Sequence, residues 1–467
     1  MQPTLDFLTQ NYDRFVRDLG ELVAIQDIST DGEHAAQIDQ CADKVRQQMQ
    51  QAGLNNVELL RFEDSYPYVY GEWLGAPGKP TVFLYCHYDV QPVAGFEQDW
   101  ESPPWTLTSR GGRLYGRGSA DDKGAVTAQL ASIEAYLKTR GSLPINIKMV
   151  VEGEEEVGSK NLMGFFQKFK DKIQSDIIVV NDTENLEEGL PSITYSLRGI
   201  VAVKVEVEGL KRPVHSGMGG GLLPDAAIAL NSILARLCWN GKKLPIPGFY
   251  DGVRKLSAKE KATYKKLPLK MKKLREDAAM LPGVDFANFK GLNPFEQTWR
   301  WPAVTVIAQE ASSIRNASNQ VLPKAQAIVS CRIVPDQKPE KVLKAVQKFL
   351  TKDPPWGVKV KVEPLGASVK WWMTDPTGPA FEAAMSAMKA GFNRTPIGIG
   401  CGGTIGFVGP LAELFGGAPA LLLGIEDPKS NAHAPNESLH EGDFKKLMAS
   451  LAHLYENLGS LSGGKVK

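Results

Sequence analysis

The sequence is poor in cysteine: Cys41, Cys86, Cys238, Cys331 and Cys401 are all it has in 467 residues. Their number is odd, they are scattered, and no two form a Cys-x-x-Cys pair. This argues against a disulfide framework and a thiolate metal site, and reads the thiols as small buried hydrophobes in a reducing compartment. No apolar run approaches the length of a membrane span. The opening Met1-Gln-Pro-Thr-Leu-Asp-Phe-Leu lacks a basic stretch followed by an apolar core, so no secretory signal is expected. A charge excess of one sign is missing too: 54 basic residues stand against 53 acidic ones, a formal net charge of +1. That balance gives no reason to expect nucleic acid as a partner. Low-complexity segments, short repeats and a Gly-x-Ser-x-Gly nucleophile elbow are also missing. The expectation is a cytoplasmic protein with neither a membrane nor a nucleic-acid partner.

What is present is an ordinary globular composition, 43% hydrophobic and 23% charged, long enough for about two to four domains. Residues 14–26 and 35–52 read as amphipathic helices. The apolar run 81–85 suits a strand buried on both faces. A helix over 125–140 and strand-like runs at 145–151 and 176–180 follow, and this alternation predicts an α/β sheet. Near residue 199 the pattern changes. Val201, Val203, Val205 and Val207 alternate with polar or small residues, as in a half-buried strand. A helix at 225–237, strands at 303–309 and 325–334, a helix at 339–351 and a strand around Val358, Val360 and Val362 complete a β-α-β-β-α-β order, the ferredoxin-like arrangement. The division predicted is 1–198 and 370–467 for one α/β domain, with 199–369 inserted as the second. The Lys-rich stretch 253–280 reads as a solvated surface element. Helices at 379–390 and 444–458 and a strand at 420–423 resume the α/β pattern.

Only six histidines occur, so each setting is informative. His87 ends the first apolar strand, and Asp89 lies two residues on, on the same face. A carboxylate there suits the orientation of a metal-bound imidazole through its other nitrogen; a polar strand end without a ligand explains the pair equally well. Asp121 and Asp122 adjoin in the Gly-rich turn 116–124 before a helix, where acids also serve as caps. The run Glu152-Gly-Glu-Glu-Glu156 follows a buried strand directly. Carboxylates so crowded repel one another unless solvated or near a cation, and two adjacent acids can divide metal binding from proton transfer. Asp182 ends the next strand, and His433 lies just past the strand 420–423. Four of these five sites fall at or beyond strand ends in one sheet, where α/β folds bind ligands, and Asp121 falls just before a helix. Two histidines with carboxylates and no cysteine suit Zn²⁺ or Mn²⁺ in a hydrolytic site.

Taken in order, His-Tyr-Asp-Val at 87–90, Gly-Arg-Gly-Ser-Ala-Asp-Asp-Lys-Gly at 116–124 and Glu-Gly-Glu-Glu-Glu-Val-Gly-Ser at 152–159 resemble the motifs of the aminoacylase/carboxypeptidase/carnosinase-like di-zinc metallopeptidases. The resemblance covers almost the whole chain. It implies a catalytic α/β domain with an inserted ferredoxin-like lid and dimerisation domain, and two divalent metal ions, Zn²⁺ in the first place and Mn²⁺ as the alternative. His87 and Asp182 would bind one metal, Glu156 and His433 the other, and Asp121 both. Glu155 would be the general base and acid, and Asp89 would orient His87. Glu154 falls where the family varies. The metals would lower the pKa of a water whose proton Glu155 takes. The oxyanion donor would be His215, which the family often supplies from the other subunit of a homodimer. Arg332 would grip the substrate carboxylate, beside the glycine-rich loop containing Gly402 and Gly403. His34, His440 and His453 match no motif and read as structural or solvated.

Asp182, where many aminoacylases have Glu, and the segment Pro245-Ile-Pro-Gly-Phe-Tyr-Asp251 resemble the dipeptidase branch. The resemblance implies cleavage of dipeptides or other small peptides. Hydrolysis of N-acyl amino acids is the alternative. A catalytically inactive metal-binding relative is the third reading, against which stands suitable chemistry at every family position.

Overall fold

The computed structural model of the chain describes residues 1–238, 243–287 and 291–461. Backbone contacts divide them into two compact units. One comprises 1–195, 374–399 and 407–467; the other comprises 196–373 and 400–406. The architecture is α/β, with a mixed central sheet in the first unit.

Four parallel strands form the middle of that sheet, in the order Asn146–Glu152, Thr81–His87, Ile177–Glu184 and Ala420–Glu426. Their apolar runs follow from position, since interior parallel strands lose both faces to packed layers. In Thr81–His87 every residue after Thr81 is buried. Antiparallel strands flank them: Tyr68–Trp73 and then Asn55–Leu60 on one side, Ser192–Leu197 on the other. The flanking strands escape a search for apolar runs. Asn55–Leu60 is an edge strand reading Asn-Asn-Val-Glu-Leu-Leu, and Tyr68–Trp73 carries Gly and Glu. The helix Gln2–Gln10, which precedes the one read near the N-terminus, has Pro at its first turn and buries only Thr4 and Leu8.

The helix Lys123–Arg140 shows how tertiary context overrides a periodic pattern. Its spacing predicts one apolar face, yet every residue from Lys123 to Tyr136 is buried. It lies among the helices Gln2–Gln10, Tyr12–Val23, Ala35–Ala52 and Glu441–Gly459 and the sheet. Gly141, at φ 71°, ends it in the left-handed conformation that lacks a Cβ penalty. At its first residue, Lys123 is wholly buried. Its ammonium donates to Asp27 at 2.6 Å and to the carbonyls of Leu22 and Ile25 at 2.9 and 3.2 Å. One cation thus satisfies the end of the helix Tyr12–Val23 and fixes the start of the central helix.

The second unit contains a four-stranded antiparallel sheet in the order Ala303–Glu310, Lys324–Ile333, Gly199–Glu208, Lys359–Pro364. With the helices Ala226–Ala235 and Pro339–Thr351 this is the β-α-β-β-α-β arrangement. Val201, Val203, Val205 and Val207 are buried, and the intervening residues are half-buried. Asp225 starts the first helix by accepting the amides of Ala227 and Ile228. The Lys-rich stretch forms two short helices, Ala258–Lys266 and Met271–Asp277, mostly solvated but pinned by buried Tyr264. Leu244, Ile246 and Phe249 of the neighbouring Pro-rich segment enter the core of this unit.

Removing one partner of a buried ion pair leaves the other charge uncompensated. Lys123→Met is expected to lower stability by about 3–5 kcal/mol, measured as a fall in the denaturant midpoint. A midpoint within error of the parent would show that Asp27 needs no cation.

Candidate metal centre and active site

The central parallel strands deliver acidic and imidazole groups at their carboxyl ends, where neighbouring strands diverge into loops. His87 is the last residue of its strand and stands in register with Glu152, the last of the next. Asp182 lies near the end of Ile177–Glu184. His433 follows Ala420–Glu426 in a loop where Asn431, His433 and Asn436 all have positive φ, at 52°, 65° and 60°. Such conformations are costly for non-glycine residues and persist where surrounding structure holds them.

Two groups that could hold a metal ion result among the described residues: His87, Asp121 and Asp182, and Asp121, Glu156 and His433, with the candidate atoms of each within 4.8 Å of one another. Asp121 belongs to both. One of its carboxylate oxygens lies 3.0 Å from His87 Nε2, and the other 3.0 Å from His433 Nε2. His433 Nε2 also lies 3.2 Å from Glu156. The donor set fits two divalent cations: imidazole nitrogens and carboxylates suit Zn²⁺ and Mn²⁺ alike. The sets differ in access. His87 is buried, whereas the side chain of His433 is 56% exposed.

The electrostatics of the protein groups alone point the same way. Burial pushes the carboxyls of Asp182 and Asp122 well up, with Glu155 adding to the first and Asp121 to the second. Burial, opposed by His87 and reinforced by Glu156, Asp121 and Asp89, brings Glu155 to about 8. Hydrogen bonds to Asp121 and Glu156 lift His433 to about 10. Burial would lower His87, but Asp121 and Asp89 outweigh it. Crowded anions that hold protons or recruit imidazolium are in surplus, and a bound divalent cation inverts that balance.

The turns carrying these groups are held from behind. Asp89 meets His87 Nδ1 through both its carbonyl and its carboxylate. The His87 Nδ1 partner at hydrogen-bond distance is the Asp89 backbone carbonyl, at 3.1 Å, while the Asp89 carboxylate stands 3.5 Å away. That carboxylate also accepts the backbone amides of Glu155 and Glu156, at 3.2 and 3.0 Å, and the Ser29 hydroxyl at 2.7 Å. It fixes the turn from which both glutamates project. Glu154 points elsewhere, accepting from Tyr68 at 2.7 Å and from the amide and side chain of Asn161 at 2.8 and 3.1 Å. Gln91 donates to Glu156 at 2.8 Å.

Glu437 has no role in the sequence reading, although it closes the His433 motif. It is wholly buried and accepts Arg117 at 2.7 Å and the amides of Gly118, Ala120 and Asp121 at 2.9, 3.0 and 3.1 Å. It thereby ties the loop after His433 to the turn bearing Asp121. Glu152 is likewise enclosed, accepting the Tyr85 hydroxyl at 2.5 Å, and Asp122 accepts the His87 backbone amide at 3.2 Å. Asp122 and Glu152 lie inside the sequence motifs, whereas Glu437 carried no signal of its own.

The remaining expected site residues lie in the second unit. His215 is exposed, and its Nδ1 accepts the Gly217 amide at 3.1 Å. Arg332 donates to the Thr404 hydroxyl at 2.6 Å. Gly402 and Gly403 belong to the segment 400–406 that groups with this unit. Of the other histidines, His34 lies 3.0 Å from Asp31, and His440 caps the last helix by accepting the Asp443 amide.

Paired imidazole and carboxylate sets sharing one aspartate define a candidate two-metal hydrolytic centre. Residues 83–457 match the family described as Peptidase family M20/M25/M40, and the chain belongs to that family; it is a peptidase. It is 31% identical over 457 residues to the cysteinylglycine-S-conjugate dipeptidase of Corynebacterium striatum, covering 97% of each chain. Its fold is similar to that of the dipeptidase Dug1p from Saccharomyces cerevisiae, with a TM-score of 0.87, 25% identity and 98% of each chain covered. It is similar also to human carnosine dipeptidase 1, with a TM-score of 0.86 and 25% identity over 98% of this chain and 99% of that one.

Glu437→Gln is expected to weaken binding of the metals about 10- to 100-fold, as loss of groups that orient ligands does. Competition with a chelator of known affinity measures it, and parent-like affinity would remove Glu437 from the support of Asp121.

Proposed function

We propose that this peptidase hydrolyses the peptide bond of dipeptides and similarly small peptides at a centre of two divalent metal ions, Zn²⁺ before Mn²⁺. The observation that carries the reading is the placement of the two Asp121 oxygens, each 3.0 Å from a different imidazole. The dipeptidase names of the similar proteins supply the substrate class. In this reading His87 and Asp182 hold one ion, Glu156 and His433 the other, and Asp121 both. Held by these residues, the ions would supply Lewis acidity to a water and to the scissile carbonyl. Glu155 takes the proton from the attacking water and returns it to the leaving amine. Asp89 keeps Glu155 and Glu156 in place through their amides. His215 donates to the oxyanion, and Arg332 binds the peptide carboxylate beside Gly402 and Gly403.

Residues 1–198 and 370–467 are read as the catalytic domain and 199–369 as its lid. A homodimer formed through the lid is part of the proposal. Its support is the strand Ala303–Glu310, an edge of the four-stranded sheet with exposed Val306 and Ile307. Natural proteins rarely leave an apolar edge uncovered. A reducing, cytoplasmic setting is supported by five free cysteines. No helix among the described residues is long and apolar enough to cross a membrane.

Chelated protein is expected to lose dipeptide hydrolysis and regain it with added Zn²⁺ or Mn²⁺. Glu155→Gln should retain both metals and lose about 10²- to 10⁴-fold in kcat; parent-like turnover would remove Glu155 as the base. Greater activity on N-acetyl amino acids than on dipeptides would move the assignment to an acylase. In sedimentation, Ile307→Lys should shift the protein from dimer to monomer, and an unchanged mass would place the interface elsewhere.

A further inference from the structure

The segment Asp27-Ile-Ser29 lies outside the sequence motifs, yet all three residues are buried and each makes a contact toward the centre. Asp27 takes the Lys123 ammonium on its carboxylate at 2.6 Å and the Val90 amide on its carbonyl at 3.2 Å. Ile28 pairs with Val90 in a parallel bridge. Ser29 donates its hydroxyl to Asp89 Oδ2 at 2.7 Å. The segment therefore runs beside the loop that follows His87. One end is fastened to the start of the helix Lys123–Arg140, which Asp121 and Asp122 immediately precede. The other end is fastened to Asp89.

Ser29 decides how the Asp89 carboxylate is shared. Oδ2 accepts the Ser29 hydroxyl and the Glu156 amide, at 2.7 and 3.0 Å. Oδ1 accepts the Glu155 amide at 3.2 Å and stands 3.5 Å from His87 Nδ1. A wholly buried carboxylate has several lone pairs to satisfy, and leaving one without a donor is costly. The two amides and the imidazole are set by the turn and by the strand end. Without the hydroxyl, Oδ2 keeps the Glu156 amide alone, and rotation toward His87 Nδ1 becomes favourable. That rotation draws the carboxylate off the turn from which Glu155 and Glu156 project. His87 keeps a partner for Nδ1 in either arrangement, because the Asp89 carbonyl lies 3.1 Å away. Glu156, 3.2 Å from His433 Nε2, has no such reserve in its backbone.

We propose that Ser29 is a positioning residue of the two-metal centre: its bond to Asp89 holds the Glu155–Glu156 turn in place relative to the turn that Lys123 anchors through Asp27. The inference rests on the two-metal hydrolysis proposed above. It makes residues 27–29 a strut between the base Glu155 and the shared ligand Asp121. The strut acts on the ion held by Glu156 and His433 more than on the ion held by His87 and Asp182.

The test titrates the parent and Ser29→Ala with Zn²⁺ against a chelator of known affinity, and follows glycyl-leucine hydrolysis with both sites filled. Ser29→Ala is expected to weaken one of the two ions about 10- to 100-fold and to leave the other little changed. At saturating Zn²⁺, kcat should fall while KM holds. In a His433→Ala background, where the second ion has already lost a ligand, Ser29→Ala should add little to the loss, because groups acting through one site are not additive. Equal weakening of both ions overturns the proposal. So does a lowered Tm with both affinities and kcat at parent values, which would make Ser29 a packing residue only. If Ser29→Ala does not fold, Ser29→Cys replaces it; a thiol is a weaker donor, so the same asymmetry should appear in smaller measure, and unchanged affinities overturn the strut. If the parent binds two ions and cleaves no dipeptide, the hydrolytic reading falls, and the strut stands or falls on the ion affinities alone.

Discussion

The carboxylates of Asp121, Asp122, Glu152, Glu155, Glu156 and Asp182 share a region from which water is largely excluded, and like charges in such a place repel far more strongly than at the surface. Much of the surrounding construction manages that repulsion. Three neighbouring acids are tied to donors: Glu152 to Tyr85, Glu154 to Tyr68 and Asn161, Glu437 to Arg117 and a row of amides. Asp89 spends its charge on the amides of the turn that carries Glu155 and Glu156. At the centre, Asp121 meets both imidazoles, and Glu156 meets His433 and Gln91. The same polypeptide thus neutralises some carboxylates internally and leaves others for cations, and the division decides where chemistry takes place.

The second unit repeats the logic with the sign reversed. There Arg300 is paired with Glu260, whereas Arg198 donates to the Gly402 carbonyl and Arg332 to the Thr404 hydroxyl of one glycine-bearing loop.

Much of this was legible before any coordinates. Strands such as Thr81–His87 announce themselves because burial on both faces demands unbroken apolar residues, and the Val201–Val207 alternation because one face is buried. The ligating candidates could be named because histidine is scarce and acids directly after a buried strand are unusual. What sequence spacing could not supply was direction. Asp89 stands beside His87, and its carboxylate also holds the backbone of the turn carrying Glu155 and Glu156. Glu154, Glu155 and Glu156 are chemically alike in the sequence, and only the local turn sends the first away. Glu437 gathers four donors from a segment some three hundred residues earlier, a relation with no local signature. The edge strand Asn55–Leu60 and the helix Gln2–Gln10 were missed for a plainer reason: weakly buried elements need few apolar residues.

The strand Ala420–Glu426 lies inside the sheet, between Ile177–Glu184 and Ser192–Leu197, and the 400–406 segment completes the unit begun at residue 196. Both come long after the segments they join. A growing chain therefore carries an open gap in its main sheet, with two unpaired strand edges, until residue 426 has been made. Neither unit can close in order of synthesis, and long-range closure of this kind is slow and exposes edges to misassembly. A chain cut before residue 400 loses not an appendage but the keystone of both units.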